Sequence, residues 1–280
     1  MRFNRLHIFL LLFMIFRPVN AQDQPEFNRI NAGYGLNQNW ITGFVQDQSG
    51  FIWVATREGF SRYDGNKFLR FLNDPDNENS LSFNETSSII IDKDGFFWIG
   101  TKNGLNKFDA ETQTFTRYFN DPNDPASLIH NAVLSLFQDK LNYIWIGTEG
   151  GGLSRFDPRT GKFTNYRNIE GDDSSLSDNT VSVIFEDRYS NLWIGTKFEG
   201  LNLLNRETGL FTRYYLRDPS ELESQFYNRI NDIYEDRNGT LWIGSSNTLA
   251  EFHKEDGKFT SHNKILEKRT RTIRQAVRAV

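Results

Sequence analysis

A tetrapeptide that begins with tryptophan recurs through the chain, and this recurrence constrains the fold more than any other feature. Its five copies are Trp53-Val54-Ala55-Thr56, Trp98-Ile99-Gly100-Thr101, Trp145-Ile146-Gly147-Thr148, Trp193-Ile194-Gly195-Thr196 and Trp242-Ile243-Gly244-Ser245. Successive tryptophans lie 45, 47, 48 and 49 residues apart. Such a period is typical of repeat architectures, whose units bury their apolar faces against neighbouring units. We therefore interpret the five tetrapeptides as core strands and not as a cofactor-binding motif.

Each repeat contains four short segments that are rich in branched and aromatic residues. In the third repeat they are Val133–Asp139, Ile144–Thr148, Gly152–Asp157 and Phe163–Tyr166, separated by Gly, Asn, Asp and Pro. Four antiparallel strands per unit of this length are typical of a propeller blade. The sequence thus predicts an all-β protein, a β-propeller with five four-stranded antiparallel blades at about residues 39–71, 84–119, 131–167, 179–215 and 228–262.

An aspartate stands six residues before each of the five tryptophans. These aspartates are Asp47, Asp92, Asp139, Asp187 and Asp236, and three positions after them come Gly50, Gly95, Asn142, Ser190 and Gly239. Asp followed by a residue that tolerates unusual backbone angles is typical of hairpin turns. We predict that the aspartates hydrogen-bond their own turns. A catalytic or metal-binding role is the alternative.

The two ends of the repeat region suggest an incomplete ring. Residues 27–30 match the outer strands Phe115–Tyr118 and Phe211–Tyr214, which predicts a closing strand ahead of the first blade. The fifth repeat already has an outer strand, Phe259–His262, and the basic stretch 264–280 lacks the repeat. Our hypothesis is that residues 22–263 form the front part of a longer propeller, ended early by truncation or a frame change.

The N-terminus has the pattern of a secretory signal peptide. Arg2 and Arg5 precede the apolar run Ile8–Phe16, and small residues end at Ala21 before a polar segment. A bilayer-spanning helix needs roughly 20 apolar residues, so this run is short for a membrane anchor. We predict a signal peptide at residues 1–21, cleavage after Ala21, and an exported, periplasmic chain without a membrane span. An uncleaved anchor is the alternative.

Composition and charge argue against several functions. The chain has no cysteine, which excludes disulfides, thiolate metal sites and a cysteine nucleophile. Residues 22–263 carry a net charge of −12, unfavourable for nucleic acid. The four histidines form no catalytic or metal-binding motif, so we expect no catalytic residues, metal or cofactor. Asp74, Asp76 and Glu78 alternate as in a calcium loop, but a solvated turn fits them better.

The repeat resembles the two-component regulator propeller repeat. The fourth copy carries the motif most fully, in Asn179, Val181, Asp187, Trp193–Thr196 and Phe211–Tyr214. The first copy departs from the motif with Val54-Ala55, and the fifth has Thr248 in place of glycine.

The resemblance implies the periplasmic sensor region of a hybrid two-component protein that detects oligosaccharides from polysaccharide breakdown. Full members resemble two propellers, an immunoglobulin-like domain, a membrane span, a histidine kinase, a receiver and a DNA-binding helix-turn-helix. The kinase, receiver and DNA-binding modules are absent from this sequence, so their activities are not carried over to it.

One end of the blades is predicted to carry the ligand. In a four-stranded meander, the link between blades and the turn between the second and third strands lie at the same end. The residues there vary between repeats, as a recognition surface on a rigid scaffold would. Trp40 is the only tryptophan outside the repeated strand and suits stacking against a sugar. We call this surface the link face; its candidate ligand-binding residues are Trp40, Arg57, Glu58, Glu85, Lys102, Asn103, Glu149, Lys197, Phe198, Glu199 and Arg229, and Ala132, Gly150, Thr180, Ser246 and Asn247 lie at matching positions.

The sequence therefore favours a non-catalytic, ligand-sensing propeller, with an oligosaccharide and the remainder of a sensor protein as partners. A propeller lyase or hydrolase and a protein–protein interaction scaffold are the alternatives. The variation of the link face also has a simpler explanation, because unconstrained loops vary as well.

Overall fold

The computed structural model of the chain describes residue 33, residues 35–221 and residues 224–262. The chain separates into Met1–Ile30, none of which is described, and the unit Asn31–Val280, to which the following applies. The predicted signal peptide, the closing strand at 27–30 and the basic tail at 264–280 lie outside the described residues.

The described residues fold into twenty strands and one short helix. The strands are β1 (Ile41–Gln46), β2 (Ile52–Thr56), β3 (Gly59–Tyr63), β4 (Phe68–Phe71), β5 (Thr86–Ile91), β6 (Phe97–Thr101), β7 (Gly104–Asp109), β8 (Thr114–Tyr118), β9 (Val133–Gln138), β10 (Ile144–Thr148), β11 (Leu153–Asp157), β12 (Lys162–Tyr166), β13 (Val181–Glu186), β14 (Leu192–Thr196), β15 (Leu201–Leu204), β16 (Phe211–Tyr214), β17 (Ile230–Glu235), β18 (Leu241–Ser245), β19 (Leu249–His253) and β20 (Lys258–Ser261). The helix, α1, spans Ser224–Tyr227 in the link before the fifth blade.

Consecutive strands pair antiparallel in five separate four-stranded sheets, one for each repeat. The sheets meet through their first strands, since β1 contacts β5, β5 contacts β9, β9 contacts β13, and β13 contacts β17. The prediction of an all-β propeller with five four-stranded blades is confirmed. In the part of the chain that the structure describes, no contact of similar extent joins the fifth blade to the first, so these five blades do not close a ring.

The repeated aspartate fixes the turn between the first two strands of every blade. In the second blade, Asp92 Oδ1 accepts the backbone N–H groups of Asp94 (3.0 Å) and Phe96 (2.9 Å). The residue three positions after the aspartate has a positive φ in all five blades, including Asn142 (70°) and Ser190 (67°). The predicted role of these aspartates in their own turns is confirmed.

The same aspartate also binds the tryptophan, which sequence analysis did not anticipate. The indole Nε1 of Trp98 donates to Asp92 Oδ2 at 2.7 Å, and all five blades repeat this bond at 2.7–3.2 Å. A buried indole N–H needs an acceptor, and an ionised acceptor gives a strong hydrogen bond. One carboxylate therefore closes the turn and orients the largest core side chain.

The tryptophans form the seams between blades. Trp98 of the second blade packs with Val133 and Ile144 of the third blade, and Trp53, Trp145 and Trp193 occupy equivalent clusters. These four tryptophans are at most 2% exposed, whereas Trp242 of the fifth blade is partly exposed. Each repeat therefore completes its core only against the repeat that follows it.

The glycine of the repeated tetrapeptide permits this close approach. A Cβ atom at Gly147 would lie 2.7 Å from the carbonyl oxygen of Val181, on the first strand of the next blade. A Cβ atom at Gly195 would lie 2.6 Å from the side-chain Cγ2 of Ile230, on the first strand of the fifth blade. In the first blade this position is occupied by the fully buried Ala55. The next residue, Thr56, lies at the interface with the second blade, where its carbonyl oxygen accepts a hydrogen bond from the hydroxyl group of Thr86 at 2.6 Å.

We expect Gly147→Ala to lower the free energy of unfolding by about 1–3 kcal/mol, because the added methyl group overpacks the seam. Urea-induced unfolding followed by tryptophan fluorescence measures this loss. Ala55→Gly is the matched control and should cost less than about 1 kcal/mol. Equal effects of the two changes would show that the glycine is not required by blade packing.

Ion pairs join the third, fourth and fifth blades at the end opposite the link face. Arg206 of the fourth blade contacts Asp139 (3.1 Å) and Glu186 (2.8 Å). The fifth blade repeats this arrangement. There, Lys254 contacts Asp187 (2.8 Å) and Glu235 (3.3 Å).

The second of these ion pairs, between Lys254 and Asp187, contributes to a lowered pKa of Asp187. Burial by itself would raise the pKa of Asp187, but hydrogen bonds from Lys254, Asn191 and Trp193 outweigh burial and lower the pKa from 3.8 to about 2. A lowered carboxylate pKa stabilises the fold above the ordinary pKa, and this stabilisation is lost as the pH falls through about 2.

We expect Lys254→Met to raise the pKa of Asp187 and so to move acid unfolding to a higher pH. A pH titration of the unfolding midpoint between pH 2 and 5, followed by circular dichroism, tests this. Lys258→Met is the control, because Lys258 forms only an exposed pair with Asp256. An acid transition that is the same in both variants would contradict the assignment.

Candidate ligand-binding face

The structure brings the predicted link-face residues together in pairs. A backbone hydrogen bond joins each turn to the link of its own blade, from Arg57 N to Trp40 O, Lys102 N to Glu85 O, Glu149 N to Ala132 O and Lys197 N to Thr180 O, at 2.8–3.3 Å. The links between blades and the turns between second and third strands therefore do lie at one end of the first four blades.

One asparagine in each of the last four blades holds this end of the blades in place. We call these residues the framework asparagines; they are Asn84, Asn131, Asn179 and Asn228. Asn179 Oδ1 accepts the N–H of Asn168 at 2.8 Å, while the main-chain carbonyl of Asn179 accepts N–H groups from Gly150 and Gly152 of the preceding blade. Asn84, Asn131 and Asn228 accept equivalent bonds through Oδ1. One residue thus fixes both the link of its own blade and the turn of its neighbour.

Arginines on two outer strands hold the links from the other side. Arg117 donates to the carbonyl oxygens of Asn77 and Ser80, both at 2.7 Å. Arg213 binds the carbonyl oxygens of Asp172 (2.7 Å) and Ser175 (3.0 Å). These links are therefore anchored, and only the side chains that project from them are free to vary.

The first blade contributes an aromatic platform to the link face. Trp40 is 56% exposed, and the guanidinium carbon of Arg57 lies 3.9 Å from the centre of one ring of Trp40. Glu58, on the same turn, accepts a hydrogen bond from Gln38 Nε2 at 3.4 Å. Because Arg57 covers one side of the indole, the other side is the available stacking surface.

Opposite charges on the link face are paired loosely. Lys102 lies 3.6 Å from Glu85 within the second blade, and Lys197 of the fourth blade lies 3.7 Å from Glu149 of the third. These side chains are 31–56% exposed, and exposed ion pairs contribute little to stability. They can therefore exchange their partners for polar groups of a ligand at small cost.

The fourth blade adds two carboxylates in a less solvated position. Burial raises the pKa of Asp178, against the lowering effect of backbone N–H donors. Burial also raises the pKa of Glu199, and the charge of Asp178 adds to this effect. Phe198, between Lys197 and Glu199 on the same turn, is 41% exposed.

The remaining predicted residues are Asn103, in the turn of the second blade, and Arg229, in the link before the fifth blade. The N–H of Asn103 donates to Thr101 Oγ1 at 3.1 Å. Arg229 Nε donates to Asn231 Oδ1 at 3.1 Å, and Asn231 Nδ2 donates to Ser246 Oγ at 3.5 Å. The cavity beside Trp40 is lined by residues Asn37 to Ile41, and Trp40 is the one predicted residue among them.

The predicted site residues do not include the residue immediately before each framework asparagine, or before Asn39, which stands at the matching position in the first blade. These residues are Gln38, Phe83, His130, Asp178 and Tyr227. Phe83 is 42% exposed, and Arg217 lies 3.8 Å from the ring centre of Tyr227. These residues differ from blade to blade, as do the residues that follow the asparagine. This variation is the sequence signal that could have added them to the predicted site.

The described histidines lie apart from one another. His130 Nδ1 accepts the N–H of Ala132 on the link face, whereas His262 lies 3.6 Å from Glu251 on the fifth blade. Residues 35–221 and 224–262 contain no group of three His, Asp or Glu residues placed to hold a metal ion. In the same residues, no helix has the length and apolar character needed to cross a bilayer.

Sequence comparison matches the family described as two component regulator propeller at residues 35–58, 80–103, 127–150, 175–198 and 224–247. The chain carries two-component regulator propeller repeats. Each matched segment runs from a link between blades to the turn after the second strand, and so contains both halves of the link face contributed by its blade.

Two relatives connect these repeats to signalling proteins. The chain is 35% identical over 82 residues to histidine kinase P4 of Formosa agariphila, covering 28% of this chain and 6% of the kinase. It is 31% identical to the extracellular domain of the putative hybrid two component system BT3049 from B. thetaiotaomicron, with a TM-score of 0.73, over 84% of this chain and 31% of that one. This chain thus spans a small part of each.

An enzyme shares the fold at lower identity. Virginiamycin B lyase from Staphylococcus aureus aligns with a TM-score of 0.58 and 16% identity, over 80% of this chain and 69% of the lyase. Identity at this level indicates a common propeller architecture only. Function must therefore be argued from the site.

We expect Asn179→Ala to lower the free energy of unfolding by about 1–2 kcal/mol, because the N–H of Asn168 loses its acceptor. Asn179→Asp keeps an acceptor oxygen and should restore most of this loss. Glu149→Ala, an exposed link-face change, should cost less than about 0.5 kcal/mol. Thermal unfolding of the three variants checks the order; a Glu149 variant as unstable as Asn179→Ala would refute this division between framework and surface.

Proposed function

We propose that the chain is the ligand-sensing, non-catalytic propeller of an exported two-component sensor, and that its link face binds an oligosaccharide. The observation that carries the proposal is the exposed indole of Trp40, which Arg57 covers on one side and which lies beside the amides of Asn37 and Gln38. Sugars offer an apolar ring face together with many hydroxyl groups, and this combination suits such a surface.

The relatives support the sensing role. The extracellular domain of the B. thetaiotaomicron system has the same fold at 31% identity, and a histidine kinase shares part of the repeat region. Export of this chain, with a signal peptide at residues 1–21, cleavage after Ala21 and a periplasmic location, is part of the proposal. So is a functional connection to the kinase, receiver and DNA-binding modules of a full sensor.

A propeller lyase or hydrolase is the second candidate, favoured by the shared architecture of virginiamycin B lyase. Such an enzyme needs an acid, a base or metal ligands that converge on one substrate. On the link face, His130 is bound to Ala132, and the carboxylates Asp178 and Glu199 belong to the fourth blade. This dispersed arrangement supports binding better than catalysis. A protein-interaction scaffold is the third candidate.

We expect Trp40→Ala to weaken oligosaccharide binding at least about tenfold, because the stacking surface is lost. A glycan array identifies binding sugars, and isothermal titration calorimetry then compares the variant with the unchanged chain. Tyr189→Ala is the control, since Tyr189 is 72% exposed on a turn at the opposite end of the blades. Unchanged affinity in a folded Trp40 variant would remove the main support for the proposal.

A further inference from the structure

A serine–asparagine pair ties the link to the third strand in two blades. In the second blade, Asn106 Nδ2 donates to Ser82 Oγ (2.9 Å), and Asn106 Oδ1 accepts the N–H of Ser82 (2.8 Å). In the fourth blade, Asn202 and Ser177 make the same two bonds at 2.8 and 3.0 Å. Both pairs are buried, and within each pair the serine and the asparagine bind each other.

The first blade carries the same two residue types in exchanged positions. Asn37 lies in the link where Ser82 lies in the second blade, and Ser61 lies on the third strand in place of Asn106. Here the polar atoms are not engaged. Asn37 Oδ1, Asn37 Nδ2 and Ser61 Oγ are buried and have no hydrogen-bond partner among the described residues, and Ser61 is 0% exposed.

Buried polar groups without partners are rare in folded proteins, because each one has lost its bonds to water. Where they persist, a ligand or another functional constraint is a common reason. The adjacent Gln38 Oε1 is also buried and unpartnered. Four unsatisfied atoms, on Asn37, Gln38 and Ser61, therefore lie in the link and the third strand of the first blade.

The cluster lies beside the aromatic platform. A cavity of about 600 Å³ is lined by residues Asn37 to Ile41, and thus includes both amides and Trp40. The nearest charged groups are already engaged, since Arg57 stacks on Trp40 and Glu58 accepts from Gln38. What the cavity offers is an indole face with amide donors and acceptors.

We infer that Asn37 and Gln38, together with Trp40, form a subsite for a neutral, hydroxyl-rich sugar unit in the first blade. This inference rests on the proposed function and adds the residues that would select the sugar. The sugar ring stacks on the side of Trp40 that Arg57 leaves open. The amide of Asn37 turns toward the cavity and exchanges donor and acceptor bonds with neighbouring hydroxyl groups, which satisfies it.

The test gives the first blade the arrangement of the second. The double change Asn37→Ser with Ser61→Asn allows the new asparagine to bind the new serine, as Asn106 binds Ser82. The reciprocal change, Ser82→Asn with Asn106→Ser, is the matched control. Calorimetric titrations use laminarihexaose, maltohexaose and xylohexaose as neutral probes and a galacturonic acid hexamer as the charged probe, and thermal unfolding is measured in parallel.

We expect the first-blade variant to melt at the same temperature as the unchanged chain or at a higher one. It should bind a neutral hexamer about tenfold more weakly, which corresponds to the loss of one or two hydrogen bonds. The second-blade variant should melt lower and keep its affinity for the same hexamer.

The remaining outcomes separate the inference from the proposed function. If the unchanged chain binds a neutral hexamer and the first-blade variant binds it equally well, the subsite is wrong while sugar sensing stands. A preference for the galacturonic acid hexamer overturns the neutral subsite in the same way. If the unchanged chain binds none of the four hexamers and no sugar on a glycan array, the proposed function fails and the subsite fails with it.

Discussion

The fold depends on one constraint: each of the first four blades buries its central tryptophan against the blade that follows. Asp92 makes this possible by accepting the indole N–H of Trp98 and the N–H groups of its own turn with a single carboxylate. The chain can then bring the first strand of the next blade against Gly147 and its counterparts. The five blades consequently share one geometry, although their surface residues differ.

This geometry separates the residues that hold the blades together from those that we propose contact a ligand. Asn179 is fixed from both sides, because its side chain holds the link and its carbonyl holds the neighbouring turn. The residues on either side of it, Asp178 and Thr180, differ from their counterparts in the other blades. A rigid backbone thus carries variable residues on each side of every framework asparagine, as in other repeat proteins.

Charge has different roles at the two ends of the blades. At one end, Lys254 binds the fully buried carboxylate of Asp187 and holds its pKa at about 2, so the pair belongs to the fold. At the link face, Lys102 and Glu85 are largely solvated and contribute little to stability. The polar groups of the first-blade link differ from both, since the amide atoms of Asn37 are buried and have no hydrogen-bond partner within the described part of the chain.

The sequence by itself determined the blades and the end of the blades at which their variable residues lie. The period of the tryptophans, the turn residues after each aspartate and the strand meander are local features, so the chain order carries them. Tertiary structure decided which side chains meet. Arg57 covers Trp40, Lys197 reaches Glu149 of another blade, and the amide of Asn37 has no partner among the residues that the structure describes. These contacts depend on distances across blades and on which partner fills each buried position, and residue order does not encode either one locally.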